Sequence, residues 1–147
     1  MGVIELISGK RIFVDTAPFI YLIEKSPDYL HVIEPIFRAA DAGDVRLFSS
    51  SLTLIEVLVK PLRLKRPDLV VQYEHILTSS SSIRLQSLDV SIARRSAEIR
   101  AKYNFKTPDS IQLATALSLS ADLFITNDKQ LKIDEITTVT LDELAVM

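Results

Sequence analysis

Residues 107–128 read Thr107-Pro-Asp-Ser-Ile-Gln-Leu-Ala-Thr-Ala-Leu-Ser-Leu-Ser-Ala-Asp-Leu-Phe-Ile-Thr-Asn-Asp128, and this run decides the fold. Thr107 is expected to cap a helix whose first position is Pro108, where a missing N–H leaves nothing unsatisfied. The helix should run to residue 120. Residues 123–126, Leu-Phe-Ile-Thr, then read as a short strand of a sheet covered on both faces. A helix, a tight turn, a buried strand and an acid together make one unit of an α/β domain with a parallel sheet.

The same alternation extends toward both termini. Residues 11–14, 45–49, 83–88 and 137–141 read as further strands. Residues 17–25 look helical, with Phe19, Ile20, Leu22 and Ile23 packing inward. Residues 28–42 carry Leu30, Ile33, Phe37 and Ala40 at helical spacing, and Gly43 stops them. Residues 51–62 form an apolar helix whose end Pro61 marks, and 67–77 make another. The serine tract 79–82 is a loop. Asp89 caps a helix to about residue 103, with Ile92, Ala93, Ser96 and Ile99 along one side. The expected architecture is a three-layer α/β/α sandwich with a central, mostly parallel sheet, in a single domain over residues 1–147. Periodicity says nothing about strand order.

Composition narrows the class. The 147 residues are 48% hydrophobic, enough to bury a core without disulfides or a structural metal. There is no cysteine, so disulfides, thiolate zinc sites and thiol redox chemistry are excluded, and a cytoplasmic location is expected. Residues 1–10 lack the pattern of a signal peptide, and no apolar run reaches membrane-spanning length; mean hydropathy is +0.24. The net charge of −2 argues against nucleic acid on its own, but the charges are unevenly spread. Lys60, Arg63, Lys65 and Arg66 form one basic stretch. Arg94, Arg95, Arg100, Lys102 and Lys106 form another, opposed only by Glu98. The C-terminal part is acidic, with Asp134, Glu135, Asp142 and Glu143. Taken singly, each basic stretch reads as a solvated helix face.

Four acids sit where elements meet. Asp15 follows the first strand, Asp128 follows the strand at 123–126, and Asp109 lies in the first turn of a helix. Glu56 interrupts the apolar run Leu52-Thr-Leu-Ile-Glu-Val-Leu-Val59. In open parallel sheets, sites form beyond the carboxyl ends of strands. The competing explanation for Asp15, Asp109 and Asp128 is capping of adjacent helix starts. For Glu56 it is a salt bridge to Lys60, or an exposed edge of the helix. Read jointly, the four carboxylates would repel one another, and a hard divalent cation would remove that penalty. Oxygen donors without cysteine or nearby histidine favour Mg2+ or Mn2+ over zinc. His31 and His75 lie far from the acids in sequence and are given no ligand role. Such a centre suits phosphoryl chemistry, activating water and stabilising the leaving oxygen.

These residues also carry a resemblance. Phe13-Val-Asp-Thr16, Leu52-Thr-Leu-Ile-Glu56, Thr107-Pro-Asp-Ser-Ile-Gln-Leu-Ala-Thr-Ala-Leu117 and Phe124-Ile-Thr-Asn-Asp128 resemble, in order and separation, the four motifs of PIN-domain nucleases. The resemblance implies an acidic pocket binding Mg2+ or Mn2+ that hydrolyses single-stranded or looped RNA. Its catalytic and metal-binding acids would be Asp15, Glu56, Asp109 and Asp128. Thr16, Thr126 and Asn127 would stand beside them, and Lys60, Arg63, Lys65 and Arg66 would line the RNA path. The small size is further similar to the VapC-like toxin ribonucleases of toxin–antitoxin pairs. That implies a protein antitoxin and a homodimer, for which Phe19, Tyr21, Leu22, Tyr29, Ile33 and Phe37 offer apolar faces. An arginine from such an antitoxin could pair with the clustered carboxylates. A non-toxin PIN nuclease, a non-catalytic RNA- or protein-binding scaffold and a plain α/β domain with capping acids are the alternatives. A haloacid-dehalogenase-like phosphatase would need a second acid two residues after Asp15, where Ala17 stands.

Overall fold

Successive side chains along a strand point to opposite faces, so each strand of a doubly covered sheet feeds two cores. The computed structural model describes residues 2–147. Its strands are β1 (Arg11–Val14), β2 (Arg46–Ser50), β3 (Ile83–Gln86), β4 (Leu123–Thr126) and β5 (Thr137–Thr140). They form one sheet in the order β3-β2-β1-β4-β5, parallel at every pairing rather than mostly so.

Ile12, Val14, Leu47 and Ile125 project into one core, while Phe13, Phe48 and Phe124 project into the other. Phe13 and Phe124 are register partners, and their rings stack at 5.4 Å between centroids. The first core is closed by α1 (Val3–Ile7), α2 (Thr16–Ile23), α3 (Leu30–Asp41), α5 (Pro67–Glu74) and α8 (Leu141–Ala145), which bury Ile7, Phe19, Ile33, Ile36, Tyr73 and Leu141 there. The second is closed by α6 (Val90–Tyr103) and α7 (Thr107–Ser118), through Ile92, Ile99, Leu113 and Ala116. The three-layer sandwich expected from the sequence is therefore present.

Several boundaries differ from expectation for physical reasons. The N-cap of α7 is Lys106, so Thr107 is already helical and Pro108 stands second. The Thr107 hydroxyl instead accepts a hydrogen bond from the Arg100 guanidinium. Pro61 does not end α4 (Ser51–Arg63); its buried ring sits inside the last turn, at the cost of the one backbone hydrogen bond its missing N–H would have donated. α5 stops at Glu74 and passes into a π-helical turn, His75–Ser79. The short helix α1 carried too little periodicity to be foreseen. Ala93, expected on the packed side of α6, is exposed. Asp89 does cap α6, its carboxylate accepting from the Ile92 N–H at 2.8 Å. Gly43 follows α3 at φ 81°, a conformation that favours glycine.

From β1 the chain moves outward through β2 to β3, then crosses back to lay β4 on the other side of β1. The strand order thus reverses between β1 and β4, and a crevice opens at their carboxyl ends.

Candidate active site

The crevice receives acids from four elements. Asp15 follows β1 directly, and its N–H donates to the Ile125 carbonyl at 2.9 Å, tying it to the end of β4. Its carboxylate accepts from the Thr16 N–H at 2.8 Å, the Thr126 hydroxyl at 2.8 Å and the Gln112 side-chain amide at 3.3 Å. Asp15 is therefore both the N-cap of α2 and a member of the cluster. Its carboxyl lies deep among protein atoms, and this desolvation raises its pKa above the ordinary carboxylate value. The three hydrogen bonds oppose the rise, and the charge of Asp128 adds to it.

Asp109, three positions after the cap of α7, makes no capping hydrogen bond among the described residues, so of the competing explanation only its favourable place in the first turn of the helix remains. Its pKa is also raised, first by burial and then by the negative fields of Asp15, Asp128 and Glu56, with Lys106 pulling the other way. Asp109 thus lies within the field of the other three acids. Glu56 projects from α4 at an exposed position and accepts from the Thr16 hydroxyl at 2.7 Å. It forms no ion pair with Lys60 among the described residues; the exposed helix edge is the outcome, and that edge faces the crevice. Asp128 is exposed and accepts from the Gln130 N–H at 2.9 Å within a turn. No helix follows it, contrary to the expectation that it lies at a helix start.

Of the three residues expected beside the acids, Thr16 and Thr126 are bonded to them as described. Thr126 does more, since its oxygen also accepts from the Asp128 N–H at 3.1 Å and so links two of the acids. The Asn127 amide donates to the Tyr21 hydroxyl at 2.9 Å, while its buried carbonyl oxygen has no partner among the described residues.

Sequence reasoning missed the buried polar layer under the acids: Ser49, Ser50, Thr53 and Gln112, all fully or nearly fully buried. The signal available was a glutamine on a helix otherwise built from small and apolar residues. An uncompensated amide is seldom placed in such surroundings.

The donor set is all oxygen, which suits a hard divalent cation. Among the described residues, no three acids or histidines are drawn together tightly enough to hold a metal ion as they stand. Carboxylates that share a field without a compensating charge are expected to stay apart. His31 and His75 are exposed on helical segments away from these acids.

The basic candidates divide. Lys60, Arg63 and Lys65 are exposed and make no ion pair among the described residues, whereas Arg66 is engaged by Asp68 through bonds of 3.0 and 2.8 Å. In the second stretch Arg94 pairs with Glu98 at 3.3 Å and Lys102 with Glu135 at 3.4 Å, leaving Lys106 beside Asp109. Of the apolar faces considered for a dimer, Phe19, Ile33 and Phe37 are core residues. Tyr21 and Tyr29 stack on each other at 4.8 Å and are half-buried. Exposed apolar surface lies instead on α4, where Ile55, Val59 and Leu62 share one helix face.

A doubly wound parallel sheet with acids gathered at its switch point defines an acid-centred α/β domain. The PIN domain family matches residues 12–136, and the chain belongs to that family. No curated protein matches the sequence. Solved structures do. A toxin–antitoxin complex from Klebsiella pneumoniae contains a chain 26% identical, with TM-score 0.67, covering 88% of this chain and 97% of that one. A VapBC assembly from Rickettsia felis, bound to a DNA fragment from its promoter, gives 17% identity and TM-score 0.70, covering 88% and 98%. A sarcin–ricin-loop-cleaving VapC toxin from Mycobacterium tuberculosis gives 15% and 0.66, covering 82% and 92%. At the two lower identities the likeness is one of fold.

Proposed function

We propose that this PIN-domain protein is an endoribonuclease dependent on Mg2+ or Mn2+, working through Asp15, Glu56, Asp109 and Asp128 in the cytoplasm. The observation that carries this reading is the pair of threonines that ties three of the acids together, Thr16 bonded to Asp15 and Glu56 and Thr126 bonded to Asp15 and to the Asp128 N–H. Structural capping does not require such a gathering, and a hard cation would relieve it. When bound, the metal supplies Lewis acidity that activates water and offsets negative charge on the phosphodiester in the transition state.

The protein's own residues prepare that chemistry. Thr126 and the Thr16 N–H hold the two oxygens of the Asp15 carboxylate, fixing its plane. The Thr16 hydroxyl holds Glu56 across the crevice. Lys60, Arg63 and Lys65, in the last turn of α4 and just beyond it, offer positive charge to an RNA backbone approaching Glu56. The test is cleavage of single-stranded and looped RNA with EDTA, then with Mg2+ or Mn2+ restored. Cleavage indifferent to EDTA and retained by Asp15→Asn would overturn the reading.

We further propose that the chain is the toxin of a toxin–antitoxin pair, held in check by a protein antitoxin and working as a homodimer. Support comes from the toxin–antitoxin complex of K. pneumoniae, whose matching chain is the most similar in sequence of the three described. An open groove of about 410 Å3, lined by Leu22, Ile23, Phe37 and Ile76, offers an apolar seat suited to an amphipathic partner helix. The exposed stripe on α4 is the surface a symmetric pair would cover.

A further inference from the structure

Gln112 is 1% exposed, yet both polar atoms of its side chain find hydrogen-bond partners. The amide nitrogen donates to the Thr53 hydroxyl at 2.7 Å and to Asp15 Oδ1 at 3.3 Å, with Thr16 Oγ1 at 3.5 Å. The amide oxygen accepts from the Ser50 hydroxyl. Proton arithmetic gives this layer a direction. Ser49 has one hydroxyl proton, and it goes to the Val14 carbonyl at 3.0 Å. The 2.9 Å contact between Ser49 and Thr53 must then use the Thr53 proton. Thr53 in turn can only accept from Gln112. The Thr16 proton goes to Glu56. The amide is left with its two N–H groups turned toward Thr53 and Asp15 and its oxygen toward Ser50. Flipped, it would set a carbonyl oxygen against a carboxylate.

We propose that Gln112 is a positioning residue for the acid cluster. It grips Asp15 twice: at the carboxylate directly, and at the preceding carbonyl of Val14 through Thr53 and Ser49. It stands three residues after Asp109 on α7, so a single helix delivers one acid and the clamp on another. This inference rests on the nuclease reading for its consequence, while the clamp itself is a property of the metal-free chain.

Two variants test it. Gln112→Met keeps length and bulk without a donor or acceptor; Ser50→Ala removes the anchor on the amide oxygen and barely alters volume. Three readouts are taken: Mn2+ affinity by calorimetry, kcat and KM for RNA cleavage, and denaturant unfolding in EDTA as a double-mutant cycle with Asp15→Ala. Loss of a residue that orients metal ligands commonly weakens metal affinity or activity about 10- to 100-fold. The expected result is a loss of that size in Mn2+ affinity and kcat for Gln112→Met, with KM unchanged. A smaller loss in the same direction is expected for Ser50→Ala, together with a non-additive cycle in EDTA. Unchanged Mn2+ affinity and kcat with an additive cycle would reduce Gln112 to core packing and overturn the proposal. A wild type that neither binds Mn2+ nor cleaves RNA, but shows the non-additive cycle, would sink the nuclease reading and leave the clamp standing. If Gln112→Met does not fold, Ser50→Ala decides by the same criteria.

Discussion

Replacing Asp109 with asparagine changes one charge and almost no volume, which makes it a clean probe of the crowded crevice. At neutral pH the ionised Asp109 carries a burial penalty and the repulsion of Asp15, Asp128 and Glu56, relieved in part by Lys106. Like-charge contacts of partly exposed groups are each worth roughly 0.2–0.5 kcal/mol, so three amount to about 1 kcal/mol. Asp109→Asn should therefore stabilise the metal-free protein by about 1 kcal/mol, or ~2–4 °C in Tm for a chain of this size. The sign follows from linkage. A carboxyl whose folded pKa is raised binds more protons folded than unfolded, so its contribution to stability falls as pH rises. Wild type and variant should melt alike at pH values well below the ordinary carboxylate value of 3.8. The gap should open as pH rises through that value and level off above the folded pKa. With Mn2+ present the order should reverse, because ligand binding stabilises wild type by about 2.7 kcal/mol at a hundred times Kd and the variant by less. Differential scanning fluorimetry in EDTA across pH, repeated with Mn2+, reads all of this. A variant that melts lower than wild type in EDTA, or that cleaves RNA at the wild-type rate, refutes the reasoning.

Replacing Lys60, Arg63 and Lys65 by alanine should weaken RNA binding and flatten its dependence on salt, by about 0.7 in log–log slope for each single-strand phosphate no longer neutralised. Arg66→Ala should do less, since its guanidinium is already engaged by Asp68; filter binding from low to high salt separates the two. Sedimentation is expected to show a dimer that Leu62→Asp dissociates, and a monomer at micromolar concentration in the wild type would remove the α4 interface. Expression of the chain alone in a bacterial host should arrest growth while Asp15→Asn does not. Equal growth of both, with soluble folded protein, would leave a nuclease but not a toxin.

Much of the fold was legible because apolar runs of four residues between helical patterns can be buried only in a covered parallel sheet. Asp15, Asp109 and Asp128 were legible as candidates because each stands at or near the end of an element, whereas Glu56, in the middle of α4, stood out only by the apolar run it interrupts. Strand order was not legible: nothing in residues 11–14 marks residues 123–126 as their neighbours, and that pairing depends on packing between Phe13 and Phe124. Pro61 misled because a proline costs a helix one backbone hydrogen bond without always ending it, and here the buried ring is kept inside the last turn. Thr107 misled because a threonine beside a proline looks like a cap, while its hydroxyl is held by Arg100. Gln112 passed unremarked because a single amide has no periodicity, and only its neighbours reveal what it holds.

The placement of β4 has a consequence for how the molecule comes into being on the ribosome. β2 docks on β1 and β3 on β2, each strand joining the one made just before it. The other edge of β1 must wait for a segment synthesised more than a hundred residues later, as the Thr126–Asp15 bond, spanning 111 positions, makes plain. Until then the growing chain holds a half-sheet, and Asp15 lacks both Thr126 and the Ile125 carbonyl. On the proposed nuclease reading, a nascent chain of this kind should not yet cut RNA. Domains fold as units once their segments have emerged, so the proposed cutting activity should arrive all at once and only after β4 has emerged. The same delay leaves the edge of β1 unpaired until β4 emerges, open to pairing with the wrong strand.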